Sequence, residues 1–290
     1  MLLYFADGNL LRMGAVRRQL RNLVDQQKMA TIDLLSGFRL TGKRALITGA
    51  GGGIGRALVA LFQAAGATVM GADIKASAMD GLELDDRLVF DLTDPDAIEA
   101  AVAPLEDAGK APDILVSNAG FTRSESLDKV DRAVWDKELA INLSGAFHVA
   151  KPVVAAMARR GGGSVVFIST VNALAHFGNP AYSAAKAGLL ALARAIAVER
   201  GAEGVRANVI CPGSVRTPAW DHRFERSPDL LRQIAPLYPI GRMIAPEEVA
   251  RAALFLVSEA ASGITGAVLP VDGGLTAGNM RFVTDVLGGG

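Results

Sequence analysis

The chain has 290 residues, half of them apolar, and its 30 basic and 30 acidic side chains give a formal net charge of zero. This size suits one large α/β domain or two small ones, and a neutral chain lacks the overall positive field that would favour nucleic acid or an anionic membrane as a partner. The single cysteine, Cys211, cannot form an internal disulfide and fits a reducing, cytoplasmic location, while no apolar run reaches the roughly 18 residues of a membrane span.

Residues 1–40 differ in pattern from the rest of the chain. Segment 10–35 has apolar residues at helical spacing, with several basic side chains among them. We interpret residues 1–40 as an N-terminal helical extension that packs on the body of the protein or on a partner subunit. A mis-assigned start codon, with Met13 or Met29 as the true start, and a membrane-surface or targeting helix are the alternatives.

From Lys43 onward, apolar runs alternate with helical patterns. The runs are almost continuously apolar, as expected for parallel strands that are buried on both faces. This alternation predicts a doubly wound, seven-stranded parallel sheet of Rossmann-like α/β type in a single domain over residues 41–280, followed by a tail at 281–290. The predicted strands are 44–48, 67–71, 87–90, 113–117, 164–168, 205–210 and 267–271, and the predicted helices include 54–65, 95–108, 131–159 and 181–200.

A glycine-rich turn follows the first predicted strand, which ends at Thr48, and opens a helix. Glycines allow the backbone to turn sharply and to approach a pyrophosphate, which then rests on the helix N-terminus. The spacing Gly49-x-x-x-Gly53-x-Gly55 differs from the usual dinucleotide fingerprint and resembles the TGxxxGxG signature of the short-chain dehydrogenase/reductase family. The expected cofactor contacts in this turn are Gly49, Gly51, Gly52, Gly53, Ile54 and Gly55.

The second predicted strand leads into Asp73, 18 residues beyond Gly55. An acidic side chain at this place accepts hydrogen bonds from the adenosine ribose hydroxyls and repels a 2′-phosphate. The turn contains no Arg or Lys that would balance such a phosphate, although Lys75 is close in sequence and weakens the discrimination. We therefore expect NAD rather than NADP as the cofactor, with Asp73 and Ile74 at its adenosine end.

Tyr182 and Lys186 form a YxxxK sequence at the head of a helical segment. Residues at i and i+4 share a helix face, so both side chains point to one site. A free tyrosine, with a pKa of about 10, is a poor base at neutral pH, but a nearby ammonium lowers that pKa. Tyr182 would then exchange a proton with the substrate oxygen while hydride moves to or from a nicotinamide. The pair also resembles the YxxxK motif of the same family, in which the Lys holds the nicotinamide ribose.

The resemblance covers about residues 41–275 and implies further site residues. An NxxG motif in the family, matched here from Asn142, supplies an Asn that holds a helix kink and a water linking the Lys to solvent. The resemblance also implies cofactor contacts along the carboxyl ends of the strands. These are Asp91, Leu92, Asn118, Ala119, Gly120, Pro212, Gly213, Val215 and Thr217.

The family also places a catalytic Ser at the end of the fifth strand, and two residues compete for that place here. Counting back from Tyr182 by the family's usual spacing gives Ser169, whereas counting along the strand from Gly163 gives Thr170. Successive strand residues face opposite sides, so only one of them faces the substrate. Loop lengths vary and the strand is the more rigid ruler, which favours Thr170 over Ser169.

The loop after the fifth strand and a lid at about 214–240 are the expected substrate contacts. Asn172, His176 and Trp220 are the candidate residues, and the lid mixes aromatic with cationic side chains. This mixture favours a small polar substrate such as a sugar, polyol or oxo-acid. The His, Cys and Asp residues do not have zinc-ligand spacing, so a metal-free mechanism is expected.

These features predict an NAD-dependent oxidoreductase that interconverts a secondary or anomeric alcohol and a carbonyl. The alternative is an NAD(P)H-dependent reductase of 3-oxoacyl thioesters on an acyl carrier, which would use the same catalytic groups and need a basic docking face. A non-catalytic NAD-binding protein would be expected to have a broken YxxxK motif. The Ala- and Gly-rich helix after Tyr182 suggests close helix packing between subunits, as in the family's tetramers, so a homotetramer or homodimer is expected.

Overall fold

Seven strands alternate with helices in the described part of the chain. The computed structural model describes residues 36–122, 126–227, 229–280 and 282–288, apart from the side chain of His222. The expected helical extension at 1–40 therefore lies almost entirely outside the described residues. The strands are β1 Arg44–Thr48, β2 Thr68–Asp73, β3 Asp86–Val89, β4 Ile114–Ser117, β5 Gly163–Ile168, β6 Val205–Pro212 and β7 Val268–Val271.

Helices connect the strands, and short turns of 3-10 or π geometry complete the connections. The α-helices are α1 Gly53–Ala64, α2 Pro95–Val102, α3 Pro104–Asp107, α4 Arg132–Leu139, α5 Gly145–Arg159, α6 Pro180–Arg200, α7 Asp221–Arg226, α8 Leu230–Ile234 and α9 Pro246–Val257. The 3-10 turns are Ser36–Phe38, Ala76–Met79, Leu127–Lys129, Val171–Ala173, Gly201–Glu203, Pro218–Trp220, Ala235–Leu237 and Glu259–Ala261, and the π turns are Ala140–Ser144 and Phe282–Val286.

The strands form one sheet in the order β3–β2–β1–β4–β5–β6–β7, and every pair is parallel. This confirms the doubly wound α/β fold. The chain builds outward from β1 to β3, then returns to the other side of β1 with β4. Such a reversal opens a crevice at the carboxyl ends of the strands on either side of it, which is the usual place for a ligand in an open α/β sheet.

The core has one apolar layer on each face of the sheet. Leu115 and Phe167 belong to the layer beneath α2, α5 and α6, whereas their strand neighbours Val116 and Val166 belong to the layer beneath α1 and α9. Adjacent strand residues point to opposite faces, so a strand buried on both faces must be apolar throughout. This explains why continuous apolar runs located the strands.

Two predicted helices are interrupted. The helix expected at 95–108 is divided at Pro104, which begins α3, because proline has no N–H to donate into a continuing helix. The segment expected at 131–159 is divided by the π turn between α4 and α5. The structure also has α9, whose first turn is held by the Glu248 carboxylate accepting the N–H of Ala245 at 2.8 Å.

Two helical segments, Arg132–Arg159 and Pro180–Glu203, have the length and hydropathy of a membrane span. Both contribute residues to the apolar layer under the sheet, among them Val149, Val153 and Leu189. Core helices of globular proteins pass the same test of length and composition, so these segments by themselves are weak support for a span.

Candidate active site

A cleft of about 790 Å³ opens at the carboxyl ends of β1, β2 and β4. Most residues predicted to contact a cofactor line it, whereas Gly55, Tyr182, Lys186, Pro212, Gly213 and Val215 are not among its lining residues. The predicted residues in the lining are Gly49, Gly51, Gly52, Gly53, Ile54, Asp73, Ile74, Asp91, Leu92, Asn118, Ala119, Gly120 and Thr217. The cleft therefore lies beside the crevice between β1 and β4, where the strand order reverses.

The glycine turn shapes one end of this cleft. Gly49 has a φ of 65°, a left-handed conformation that favours glycine. A Cβ at Gly55 would lie 2.0 Å from the Gly49 carbonyl oxygen, so no side chain fits there. Helix α1 begins at Gly53 behind Gly52, which makes no side-chain cap. The first N–H groups of α1 are thus left for an anionic ligand such as a pyrophosphate.

Asp73 lies at the end of β2 and faces the glycine turn. Its carboxylate accepts hydrogen bonds from the N–H of Gly51 at 3.0 Å and of Ile74 at 2.8 Å. The Arg56 guanidinium is close to the same turn but donates to three backbone carbonyls there and in the segment after β2. A negative charge therefore borders this end of the cleft. Arg56 was not among the predicted site residues, although its position directly after Gly55 indicated that it lies close to the glycine turn.

Asn118 joins β4 to β1 at the floor of the cleft. Its side-chain amide donates to the carbonyls of Thr48 and Gly49, both at 3.1 Å. The Thr48 hydroxyl in turn accepts the N–H groups of Asn118 and Ala119, each at 3.1 Å. Thr48, which the sequence did not single out, thus fixes the two strands that border the crevice.

Tyr182 and Lys186 lie on α6, with the Lys186 Nζ 5.8 Å from the centroid of the Tyr182 ring. The ammonium donates to the Ile168 carbonyl at 2.9 Å, and the Lys186 residue is 2% exposed. A Cβ built on Gly120 would lie 3.1 Å from the Lys186 Nζ. Lys186 therefore lies next to Gly120, a residue that lines the cleft.

Burial changes the acidity of both members of the pair. Burial raises the pKa of Tyr182 well above its ordinary value, and Glu138 and Cys211 add to this effect, while a hydrogen bond with the Thr170 hydroxyl opposes it. Burial lowers the pKa of Lys186 to about 8, against the opposing influence of Cys211 and Glu138. In the chain without cofactor, burial and the two acidic neighbours thus oppose the expected lowering of the pKa of Tyr182, and the Thr170 hydrogen bond acts in its favour.

Asn142 lies in the π turn between α4 and α5 and is 1% exposed. Its Oδ1 accepts the N–H of Phe121 at 3.0 Å, and its Nδ2 donates to the Phe121 carbonyl at 2.7 Å. Nδ2 also lies 2.9 Å from the carbonyl and 3.0 Å from the carboxylate of Glu138. Asn142 thus connects the interrupted helix to the backbone next to Gly120, the position that the family resemblance implies.

Ser169 and Thr170 point in different directions, as strand alternation requires. The Ser169 hydroxyl is buried and donates to the Lys186 carbonyl at 2.9 Å, so it links the end of β5 to the backbone of helix α6. The Thr170 hydroxyl hydrogen-bonds the Tyr182 phenol and lies 3.4 Å from the Asn172 Oδ1. The geometry favours Thr170 as the hydroxyl that accompanies Tyr182.

The three candidate substrate contacts differ in their surroundings. Asn172 is engaged within its loop, where its Nδ2 donates to the Gly178 carbonyl at 2.9 Å. His176 is exposed in the same loop. Trp220 stacks on Phe224 in the lid, with ring centroids 5.8 Å apart. Among the contacts of the described residues, none joins these three side chains, and Asn172 has a structural role in shaping the loop.

The lid contains α7 and α8 between two anchored ends. At its start, Val215 forms an isolated bridge to the chain after the lid, and the Ser214 N–H donates to the Tyr238 hydroxyl at 2.7 Å. Tyr238 is 3% exposed and thereby ties the two ends together. Thr217 lies inside the lid, 2.7 Å from the place of a Cβ on Gly53. Tyr238 was not among the predicted site residues, because the sequence around it gives no sign of its hydrogen-bond partner, the Ser214 N–H.

Glu138 was also missed. It precedes Asn142 by four residues, a spacing that puts both side chains on one helix face, but the polar sequence of α4 gave no sign that this residue is buried. As for metals, the described residues contain no group of three or more His, Cys, Asp or Glu placed to hold an ion, and the metal-free mechanism stays a prediction.

Comparison with known proteins agrees with this geometry. A family model described as enoyl-(acyl carrier protein) reductase matches residues 49–276. The chain is 38% identical to the 3-oxoacyl-[acyl-carrier-protein] reductase of Thermotoga maritima, over 82% of this chain and 99% of that protein. It is also 38% identical to a galactitol 2-dehydrogenase (L-tagatose-forming) of Cereibacter sphaeroides, over 84% and 99%.

Solved structures give the same result. A short-chain dehydrogenase/reductase family oxidoreductase from Burkholderia thailandensis is 42% identical, with a TM-score of 0.79 over 85% of this chain and 98% of that one. A gluconate 5-dehydrogenase from Burkholderia cenocepacia J2315, in complex with NADP and tartrate, is 33% identical, with a TM-score of 0.76 over 84% and 99%.

Proposed function

The chain belongs to the short-chain dehydrogenase/reductase family, and from that premise we propose that it is an NAD-preferring dehydrogenase of a small polar alcohol, with Tyr182 as its acid/base. As a member of this family it is an oxidoreductase that uses a nicotinamide cofactor and interconverts alcohol and carbonyl groups. The observation that carries the proposal is the Lys186 ammonium beside Gly120, a residue that lines the cleft, with the Lys186 Nζ 5.8 Å from the centroid of the Tyr182 ring.

The cleft fits a nicotinamide dinucleotide. The glycine turn and the uncapped N-terminus of α1 suit a pyrophosphate, and Asp73 suits ribose hydroxyls. Asp91, Asn118 and Thr217 are positioned along the same cleft. When bound, the cofactor donates or accepts the hydride; every other step falls to side chains of this chain.

Tyr182 is proposed to move the proton. In carbonyl reduction the phenol gives its proton to the substrate oxygen, and in alcohol oxidation the phenolate takes it. The raised pKa of Tyr182 keeps the phenol protonated at neutral pH, which favours carbonyl reduction. A positive charge brought near the phenol would lower this pKa and favour alcohol oxidation. Thr170, hydrogen-bonded to the phenol, would polarise the same oxygen, while Lys186 supplies the nearby positive charge.

Asp73 supports NAD over NADP. Its carboxylate is fixed by two backbone N–H groups at the adenosine end, where a 2′-phosphate would meet a like charge. Arg56 does not counter this, because its guanidinium is directed at backbone carbonyls. NADP in the gluconate 5-dehydrogenase neighbour shows that this fold also accommodates the phosphorylated cofactor, so the preference rests on this chain's own residues.

The lid supports a small polar substrate. Its side chains include Arg216, paired with Asp221 at 2.6 Å, and Arg223 over the Trp220 ring. The galactitol 2-dehydrogenase relative favours a polyol or sugar. The second candidate, reduction of a 3-oxoacyl thioester, is favoured by the matched family model and by the Thermotoga maritima reductase.

Self-association is proposed from the outer surface of α5 and α6. Val198 on α6 is 84% exposed and Phe147 on α5 is 40% exposed, so each offers an apolar side chain to a subunit that packs on its helix. A homotetramer or homodimer would cover this face. Light scattering of the purified chain measures the oligomeric state, and a monomer would contradict this proposal.

We further propose a reducing, cytoplasmic location, one catalytic domain over 41–280 and a mobile lid over about 214–240.

The decisive experiment is a substrate panel. The full chain is incubated with polyols, sugars, oxo-acids and 3-oxoacyl thioesters, each with NAD(H) and NADP(H), and absorbance of the reduced nicotinamide is followed. NADH formation from a polyol or sugar is the expected result. Turnover of thioesters alone would select the second candidate, and no turnover together with no binding of reduced cofactor by fluorescence would refute both.

The cofactor preference has its own test. Asp73→Ala removes the carboxylate that accepts ribose hydroxyls, so the ratio of kcat/KM for NAD to that for NADP should fall about tenfold or more, the size of one charged hydrogen bond. Asp80→Ala is the matched control, because this acid lies in the segment after β2 with its side chain 74% exposed. An unchanged ratio in Asp73→Ala would count against the assignment.

A further inference from the structure

Glu138 is an acidic residue buried where helix α4 meets α6. Half of the residues of α4 are charged, and Glu138 is its one buried residue, with 3% of its surface exposed. Burying a carboxylate costs several kcal/mol in hydration unless partners compensate. An apolar side chain would fill this position at lower cost, so the acid calls for an explanation beyond packing.

The first partner is Asn142. Its Nδ2 lies 3.0 Å from the Glu138 carboxylate and 2.9 Å from the Glu138 carbonyl. That carbonyl belongs to the last turn of α4, directly before the π turn at Ala140–Ser144. Glu138 therefore orients the side chain whose opposite atom, the Asn142 Oδ1, accepts the Phe121 N–H beside Gly120.

The second connection is electrostatic. Three elements bring ionisable groups to this point: Glu138 from α4, Tyr182 and Lys186 from α6, and Cys211 from β6. The negative charge of Glu138 raises the pKa of Lys186 against the lowering by burial, and it adds to the raised pKa of Tyr182. Cys211 acts in the same direction on both groups, but its own pKa is raised by burial, so its thiol form predominates at neutral pH.

We infer that Glu138 is a positioning residue of the active site: its buried carboxylate holds the Asn142 amide and brings an acidic group to the junction of α4 with α6, the helix that carries Tyr182 and Lys186. This rests on the proposed function. The carboxylate does not touch substrate.

The two roles can be separated by two substitutions. Glu138→Gln keeps an oxygen that accepts from Asn142 but removes the charge. Both Tyr182 and Lys186 then lose a group that raises their pKa, so the pH profile of kcat/KM moves to lower pH by about half a unit or more. Glu138→Asp keeps the charge, but its side chain is one methylene shorter and no longer reaches the Asn142 amide. Asn142 is then misplaced, so the maximal kcat falls about tenfold while the pH profile of kcat/KM does not shift.

A direct readout on Lys186 complements the kinetics. The NMR signal of its labelled side chain is assigned by its loss in Lys186→Arg and titrated in the full chain. The midpoint, expected at about 8 in the unaltered protein, should be lower in Glu138→Gln. Asp136→Asn is the matched control, since it removes the same charge from the same helix at a side chain that is 62% exposed. Its titration and pH profile should match those of the unaltered protein.

The outcomes distinguish this inference from the proposed function. A Glu138→Gln protein with unchanged profile and unchanged Lys186 midpoint, or with a uniformly lower rate at every pH, would overturn the electrostatic role. A Glu138→Asp protein with the original kcat would overturn the positioning of Asn142. If the unaltered chain turns over no substrate of the panel, the proposed function fails, while the Lys186 titration still decides whether Glu138 sets the charge of the lysine.

Discussion

Two clefts of nearly equal volume open at opposite edges of the same sheet, about 790 Å³ at the carboxyl edge and about 740 Å³ at the amino edge. The first is bordered by the uncapped start of α1 and by the Asp73 carboxylate. The second is bordered by arginines that donate to backbone carbonyls. The Arg206 guanidinium alone donates to the carbonyls of Leu256, Val257, Ser258 and Ile264 at 2.8–3.2 Å.

The difference follows from the direction of the chain. In a parallel α/β sheet, the helices begin at the carboxyl edge and end at the amino edge, so free N–H groups collect at one and free carbonyls at the other. Arg206 satisfies the last carbonyls of α9, and Arg160 donates in the same way to the Pro112 carbonyl at 2.6 Å. The presence of a cleft therefore does not by itself identify a binding site. A binding site also needs polar groups that are not already hydrogen-bonded to the protein's own backbone.

The largest expected effect is at the carboxyl edge. Tyr182→Phe removes the proposed acid/base, so kcat should fall at least about 100-fold, equivalent to about 2.7 kcal/mol. Steady-state kinetics with the best substrate of the panel measure it, and fluorescence of bound NADH shows that the cleft still binds its cofactor. Turnover close to that of the unaltered enzyme would refute the role of Tyr182.

The next effect is at the amino edge and should appear only in stability. Arg206→Met removes one donor from each of four carbonyls, three of which keep another donor, at a cost of about 2 kcal/mol in the free energy of unfolding and with no change in kcat. Denaturant unfolding measures the cost. Arg200→Met, at an exposed end of α6, is the control and should change stability by no more than about 0.5 kcal/mol. A loss of kcat in folded Arg206→Met would break the contrast between the two edges.

The smallest expected effect distinguishes two neighbouring hydroxyls at the carboxyl edge, those of Thr170 and Ser169. Thr170→Val should lower kcat about tenfold, since one hydrogen bond to the reacting oxygen contributes about 1.4 kcal/mol. Ser169→Ala removes the donor to the Lys186 carbonyl and should instead lower the free energy of unfolding by about 1 kcal/mol, with kcat nearly retained. If Ser169→Ala is the substitution that reduces kcat, the assignment of the two hydroxyls must be exchanged.

The sequence supported a detailed picture of the fold. Apolar runs located all seven strands, because strands buried on both faces must be apolar throughout. The ends of β2 and β6 extend two residues beyond the prediction, to Asp73 and Pro212, since their pairing with β3 and β7 continues that far. The breaks at Pro104 and at the π turn were missed, because a helical pattern of side chains does not record which backbone bonds are made.

The candidate site divides in the same way. Local spacing, together with the family resemblance, indicated the glycine turn, Asp73 and the Tyr182–Lys186 pair, because each depends on residues a few positions apart on one turn or helix face. Spacing left Ser169 and Thr170 in competition, and it gave no sign of Glu138 or Tyr238. Only the tertiary structure gives the surroundings of these four residues, because the partner of a buried polar group and the hydration it loses are set by distant segments that pack around it, which no local pattern encodes.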